Sequence, residues 1–312
     1  MIKIGVVNID VSHPKTFSEE LMKGNRARYT AVFNEGFRGE EEVLGFYRSA
    51  GLERICSSVD ELVEVSDVGF IQGCNWDKHI EYAEHFIKAG KPVFIDKPIV
   101  GNIKDCKKLL ELEKNGAVIM GSSSVRYCNE ITEYKNLSAE EKGELLHATV
   151  TVGVDEFNYA IHAVEGLCAV AEAEPVSVKF IGSSERDNQV CENYFVRFKN
   201  GATGTYICVE DRFMLFHITV VTSKKDFCVT LDNYQLYGPM LDEVCNKIEG
   251  KKSRIASMKE ITDSVRVMLA GKLSKEKGGA EISVYSDELE NVRFDGYEFE
   301  KKYAAASKPM YI

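Results

Sequence analysis

The residues best equipped for chemistry stand at the ends of short apolar runs. Lys97 follows Val93-Phe94-Ile95 and sits between Asp96 and Pro98, with Gly90, Lys91 and Pro92 leading into the run. A lysine at the carboxyl end of a strand stands where parallel sheets bind their ligands. The plainer reading is a solvated strand-end lysine. The first apolar run, Ile2–Val7, leads into Asn8-Ile9-Asp10-Val11-Ser12-His13. A dinucleotide site places G-x-G-x-x-G at such a point, so that backbone amides can approach a pyrophosphate. Here Asn8, Asp10 and His13 replace all three glycines. Asn8 and Asp10 tolerate unusual φ angles, and a helix N-terminus still attracts phosphate. Against this, Asp10 places a negative charge where a diphosphate would approach. The loop reads equally as a cap, with Ser12 or Asp10 at the N-cap and Pro14 in the first turn. After the second apolar run stand Asn34 and Glu35. An acid there can hold the adenosine ribose and favours NAD, whereas the nearby Arg38 argues for the 2′-phosphate of NADP. Both are otherwise ordinary loop residues.

The elements that must position these residues alternate through the first third of the chain. Apolar runs at 2–7, 29–33, 55–57, 68–72, 93–95 and 117–120 read as strands. Helical patterns at 14–23, 40–50, 60–64, 78–89 and 103–115 lie between them, several closed by glycine. Continuous apolar strands separated by helices predict a doubly wound parallel sheet, Rossmann-like, with ligands at the carboxyl ends of its strands. After residue 121 the pattern changes. Long strand-like stretches at 145–154, 176–183, 194–199, 203–210, 216–223 and 226–231 predict an antiparallel sheet in an α+β domain. Lys199-Asn200-Gly201-Ala202 and Ser223-Lys224-Lys225-Asp226 read as hairpin turns. Helices are expected at 160–172, 242–249 and 257–273, and a polar loop at 275–279. The expected division is 1–121 for nucleotide and 122–312 for substrate and oligomerisation.

The segment Lys78-His79-Ile80-Glu81-Tyr82-Ala83, followed by Ala89-Gly90-Lys91-Pro92-Val93-Phe94-Ile95-Asp96-Lys97-Pro98, resembles the glucose–fructose oxidoreductase, inositol dehydrogenase and rhizopine catabolism family, Gfo/Idh/MocA. That family carries aGk-x-V-x-x-E-K-P on its fifth strand, and Asp96 replaces the Glu. The resemblance implies hydride transfer between NAD or NADP and a hydroxyl of a sugar, cyclitol or related polyol. It assigns Lys97 to bind the hydroxyl and shuttle its proton. The family's D-x-x-x-H reads here Asn158-Tyr159-Ala160-Ile161-His162. The histidine is kept and the aspartate lost. His162 suits acid–base work near neutral pH, or is a packed helix histidine. The resemblance also brings Cys74, Asn75, Trp76 and His79 to the cofactor, together with Asn8, Ile9, Asp10, Ser12, His13, Asn34, Glu35, Asp96, Lys97 and Pro98. Trp76 can stack on a ring or simply pack. The substrate set is Lys97, Arg126, Asn158, Tyr159 and His162. Arg126, beside Tyr127, can hold a substrate oxygen or cofactor phosphate, or form an interdomain ion pair.

Composition narrows the rest. The chain has 312 residues and a net charge of −10, which disfavours nucleic acid and anionic membrane as partners. No run approaches a bilayer span and no signal-peptide pattern opens the chain, so a cytoplasmic location is expected. The nine cysteines form no C-x-x-C pair, so reduced, mostly buried thiols and no metal site are expected. Strands that read as apolar on both faces, such as Ile218-Thr219-Val220-Val221, call for cover by a second subunit, hence a homodimer or homotetramer. Two further readings stand beside the oxidoreductase. One is a family member altered into a ligand-binding or regulatory protein, motivated by the substituted motif positions. The other makes residues 8–13 a ligand site of their own, with His13 pointing into the cleft.

Overall fold

A computed structural model describes residues 1–232 and 235–311. The first sheet has six parallel strands: β1 (Ile2–Val7), β2 (Ala27–Phe33), β3 (Arg54–Ile55), β4 (Val68–Ile71), β5 (Val93–Ile95) and β6 (Ile119–Gly121). Their spatial order is β3-β2-β1-β4-β5-β6, so the direction of winding reverses between β1 and β4. Helices α1 (His13–Met22), α2 (Glu40–Ser49), α3 (Val59–Val65), α4 (His79–Lys88) and α5 (Ile103–Lys114) make the crossovers. β4 and β5 are buried along their whole length, which is why they read as unbroken apolar runs. Ligands of such sheets bind outside the carboxyl ends of the strands at the reversal point. Here that point is the gap between the loops after β1 and β4.

Residues 122–144 cross to the second domain through the short helices α6 (Asn129–Asn136) and α7 (Ala139–Lys142). A seven-stranded sheet follows, built from β7 (Leu145–Val154), β8 (Pro175–Arg186), β9 (Gln189–Phe198), β10 (Thr203–Glu210), β11 (His217–Thr222), β12 (Asp226–Thr230) and β13 (Ile282–Ser283). Both expected hairpin turns are present. The sheet departs from pure antiparallel pairing at one place: β10 lies parallel to β7, with Thr205 opposite Thr149. One face packs on α8 (Ala160–Ala171) and α10 (Met258–Glu276). Helix α10 runs through Glu276, so residues 275 and 276 are helical rather than part of a loop, and Lys275 pairs with Glu192. The opposite face is mixed, with Val221 39% exposed among polar neighbours. Ile218 and Val220 are buried inward, while the outward positions carry a row of threonines, Thr205, Thr149 and Thr219, across three adjacent strands.

Two late elements return to the first domain. Helix α9 (Tyr237–Ile248) starts well before the expected 242 and packs its Met240, Leu241 and Val244 into the core formed by α1 and β2. Helix α11 (Gly296–Ala306), which the periodicity did not suggest, lies over the one-turn helix Trp76–Lys78.

Candidate active site

The loop after β1 is held by side chains rather than opened by glycines. Asn8 takes φ +65°, the left-handed region, and its Oδ1 accepts from the Glu35 N–H at 2.8 Å. Asn34 returns the bond, accepting from the Ile9 N–H at 3.1 Å. The Asp10 carboxylate accepts from the backbone N–H of Phe37 at 3.2 Å and of Cys74 at 3.0 Å. Gly36 is needed for this arrangement, because a Cβ there would lie 1.9 Å from Asp10 Oδ1. Arg38 donates from Nε and Nη2 to the Asp10 carbonyl and pairs with Glu42 at 3.1 Å. Burial, with the charge of Glu300 adding to it, lifts the Asp10 carboxyl to about 6 against two amide bonds that lower it. Ser12 occupies the N-cap of α1 but its side chain makes no cap bond, and Pro14 sits in the first turn.

The departures at positions 13 and 96 form one feature. His13 Nδ1 lies 2.6 Å from Asp96 Oδ2, inside the protein. The other Asp96 oxygen accepts from the Lys97 N–H at 2.8 Å. Burial pushes the Asp96 carboxyl up, but His13 and Lys97 outweigh it and hold it below the usual range. The residue replacing the third glycine therefore clamps the residue replacing the motif Glu, and together they anchor the strand end that carries Lys97. The following peptide, Lys97–Pro98, is cis.

Lys97 reaches the second domain. Its Nζ donates to the Asn158 carbonyl at 2.9 Å and to Asn158 Oδ1 at 3.0 Å, and stands over the Tyr159 ring at 5.1 Å. Burial lowers its pKa, opposed by Asp96 and Asp155. Asp155 binds Asn158 through its Oδ2 at 3.3 Å, so a carboxylate remains near the site although position 158 has lost one. His162, in the first turn of α8, is 5% exposed and its Nδ1 lies 2.7 Å from Ser123 Oγ. Burial, then Lys97, then His13 drive its pKa well down, so the ring is neutral near neutral pH. The structure thus gathers Lys97, Asn158, Tyr159 and His162 at the carboxyl end of β5. Sequence reasoning missed Ser123, Asp155 and Tyr237, whose ring meets His13 edge-on at 5.4 Å. Only Asp155, three residues before Asn158, carried a readable signal.

Other expected site residues are engaged elsewhere. The Arg126 guanidinium forms a buried ion pair with Glu165 and donates to Ser264 Oγ at 3.1 Å. These partners stand on helices α8 and α10, which follow the crossover, so Arg126 is neither a free substrate ligand nor the expected interdomain pair. Trp76 is buried, donates from Nε1 to the Phe294 carbonyl at 2.9 Å, and packs between Phe157 and Phe299, so no ring face is open for a cofactor. The ring nitrogens of His79 face the carbonyls of Gly73 and Ile99, tying the loops after β4 and β5 together. Asn75 donates to Glu300 at 2.9 Å. Cys74 is buried with its thiol pushed up by burial and Asp10, so it stays protonated. The Asp10, Cys74 and Glu300 ligand atoms lie within 4.8 Å of one another, already tied up in these bonds. Glu35 accepts from Tyr82 Oη at 3.0 Å at the rim of the cleft. The Asp10 carboxylate and residues 296–311 lie against the loops that frame the reversal point, where such sheets bind their ligands.

Residues 3–123 match the family model described as an oxidoreductase family with an NAD-binding Rossmann fold, GFO_IDH_MocA. A 60-residue segment is 40% identical to inositol 2-dehydrogenase of Gluconacetobacter diazotrophicus and spans 18% of that relative's length. The fold matches a probable dehydrogenase from Thermotoga maritima, at TM-score 0.79 and 17% identity, covering 92% of this chain and 100% of the other. It also matches a myo-inositol dehydrogenase from Lactobacillus casei in complex with NAD(H) and myo-inositol, at TM-score 0.79 and 13% identity, covering 92% and 97%. Among the described residues no helix is long and apolar enough to cross a membrane. Residues 3–123 thus match the Gfo/Idh/MocA oxidoreductase family model, and the chain as a whole shares the two-sheet fold of these dehydrogenases.

Proposed function

We propose that this protein is an oxidoreductase that transfers hydride between a nicotinamide cofactor and the CH–OH group of a cyclitol, sugar or related polyol. The observation that carries this is the half-buried Lys97 side chain, set at the end of β5 and aimed at Asn158 beside His162. A lowered lysine pKa makes proton exchange with an alcohol easier at neutral pH. A substrate hydroxyl would bind Lys97, which donates to the oxygen as an ammonium and takes its proton once neutral. His162, neutral and held through Ser123, serves as hydrogen-bond partner to a second hydroxyl. Asn158 and Asp155 keep the lysine aimed. Glu35 at the cleft rim favours NAD, and Arg38 supports the same choice, since Asp10 and Glu42 already engage its guanidinium. The outward threonine row of the second sheet is the surface we assign to a homodimer or homotetramer. A ligand-binding or regulatory role is the second reading, favoured by Asp10 and the covered cleft. NAD-linked turnover across a panel of inositols and sugars separates the two. Turnover on at least one polyol is expected, and NAD binding with none on any would leave the second reading standing.

A further inference from the structure

The geometry points to residues 296–311 as a displaceable strap that competes with the dinucleotide for its cleft. This rests on the oxidoreductase reading and adds its control. The strap touches the loops after β1, β2 and β4, the three that frame the reversal point. Tyr311 Oη donates to the Val11 carbonyl at 2.6 Å. The Tyr303 ring meets Phe37 at 6.0 Å, and Arg38 Nη1 donates to the Lys308 carbonyl at 2.8 Å. Glu300 accepts from Asn75 and sets its carboxylate beside Asp10. The cover is close: Asn8, Ile9 and Asp10 are 3%, 0% and 1% exposed.

Two features make the cover reversible. Helix α11 is shallowly seated, with only Gly296 buried among its 11 residues. Segments that bury little apolar surface open at low free energy. Glu300 also meets Asp10 carboxyl to carboxyl, a contact that weakens the closed state whenever both ionise. The far end of the strap is fitted to a gap in α2. A Cβ on Gly45 would lie 1.7 Å from the Tyr311 carbonyl oxygen. A side chain at position 45 thus evicts the strap's end without touching the cleft, and it replaces glycine inside a helix, where other residues are better formers.

The chain supplies its own reporter. Trp76 is its sole tryptophan, and its ring rests on Phe299 of the strap. The test titrates NAD into the native protein and into Gly45→Leu, following Trp76 emission, hydrogen exchange of residues 296–311, and affinity by calorimetry. If the strap competes, NAD shifts Trp76 emission to the red and raises exchange in 296–311. Gly45→Leu then shows raised exchange without ligand and binds NAD about tenfold more tightly, because the apparent affinity scales with the open fraction. NAD binding with emission and exchange unchanged, or equal affinity in the two proteins, overturns the strap and leaves the oxidoreductase reading intact. No NAD binding even where exchange shows the strap released overturns both.

Discussion

The pairing of His13 with Asp96 is the residue-level fact with the widest consequence. Each position departs from the family pattern, and read alone each weakens the site. At 2.6 Å they compensate one another. The sequence showed both substitutions but not their coupling, because they lie 83 positions apart. Leaving the buried Asp96 carboxylate without this hydrogen-bond partner costs about 1–3 kcal/mol. His13→Ala should lower stability by about that amount in denaturant titration. A loss within error of zero would show that the clamp does not hold the β5 end. Asp10 gives a pH prediction. In the closed protein its carboxyl is raised to about 6 from 3.8. Cys74, Glu300, Arg38, Tyr303 and Tyr311 face it. Between those two values the closed state keeps a proton that an opened or unfolded chain has released. Closure is therefore favoured at acid pH and loses stability as pH rises through this window. Hydrogen exchange of 296–311, corrected for intrinsic rates, should increase across it in the native protein and not in Asp10→Asn. A flat profile in both would contradict the assignment.

At the scale of elements, the first domain was legible because fully buried parallel strands write themselves as unbroken apolar runs. The second sheet was legible as strands but not as a topology. Hairpin turns announce neighbours in sequence, whereas the parallel β10–β7 pair joins strands separated by two others and leaves no local mark. Helix α11 was overlooked because it buries almost nothing, so no apolar stripe marks it. Its start did carry a signal, Asp295 three residues before Glu298, and the Asp295 side chain accepts from the Glu298 N–H at 2.9 Å. Losing such a cap costs about 1 kcal/mol. Asp295→Ala should then raise exchange within 296–306 about fivefold while the global thermal midpoint stays in place. Loss of global stability instead would show that α11 is part of the core and not a movable cover.

On the scale of the whole molecule, Lys97 at the end of β5 in the first sheet meets Asn158 and His162 at the start of helix α8, which packs on the second sheet. The change from a parallel to a mainly antiparallel sheet was readable from the change of pattern after residue 121. Helix α9 and the strap return to the first domain, and this could not be read, because long-range docking depends on shape that periodicity does not encode. The outward sheet face carries both apolar residues, Val221 and Ile207, and a row of threonines. Flat threonine rows are neutral and unbulky, and still suit pairing with a copy of themselves across a two-fold axis. The protein is expected to run as a multiple of its 35.0 kDa chain in light scattering, and Thr205→Glu to run as a monomer. A native protein that is monomeric at all concentrations would remove this surface from the account.

The central claim is that Lys97 handles the substrate proton, and one comparison tests it most directly. NAD-linked oxidation of the best polyol substrate is measured for the native protein and for Lys97→Ala, with NAD affinity measured in parallel. The account predicts a fall in kcat of about 100- to 10,000-fold with NAD affinity retained, the range that a positioned acid–base group contributes. Turnover undiminished in Lys97→Ala would contradict it.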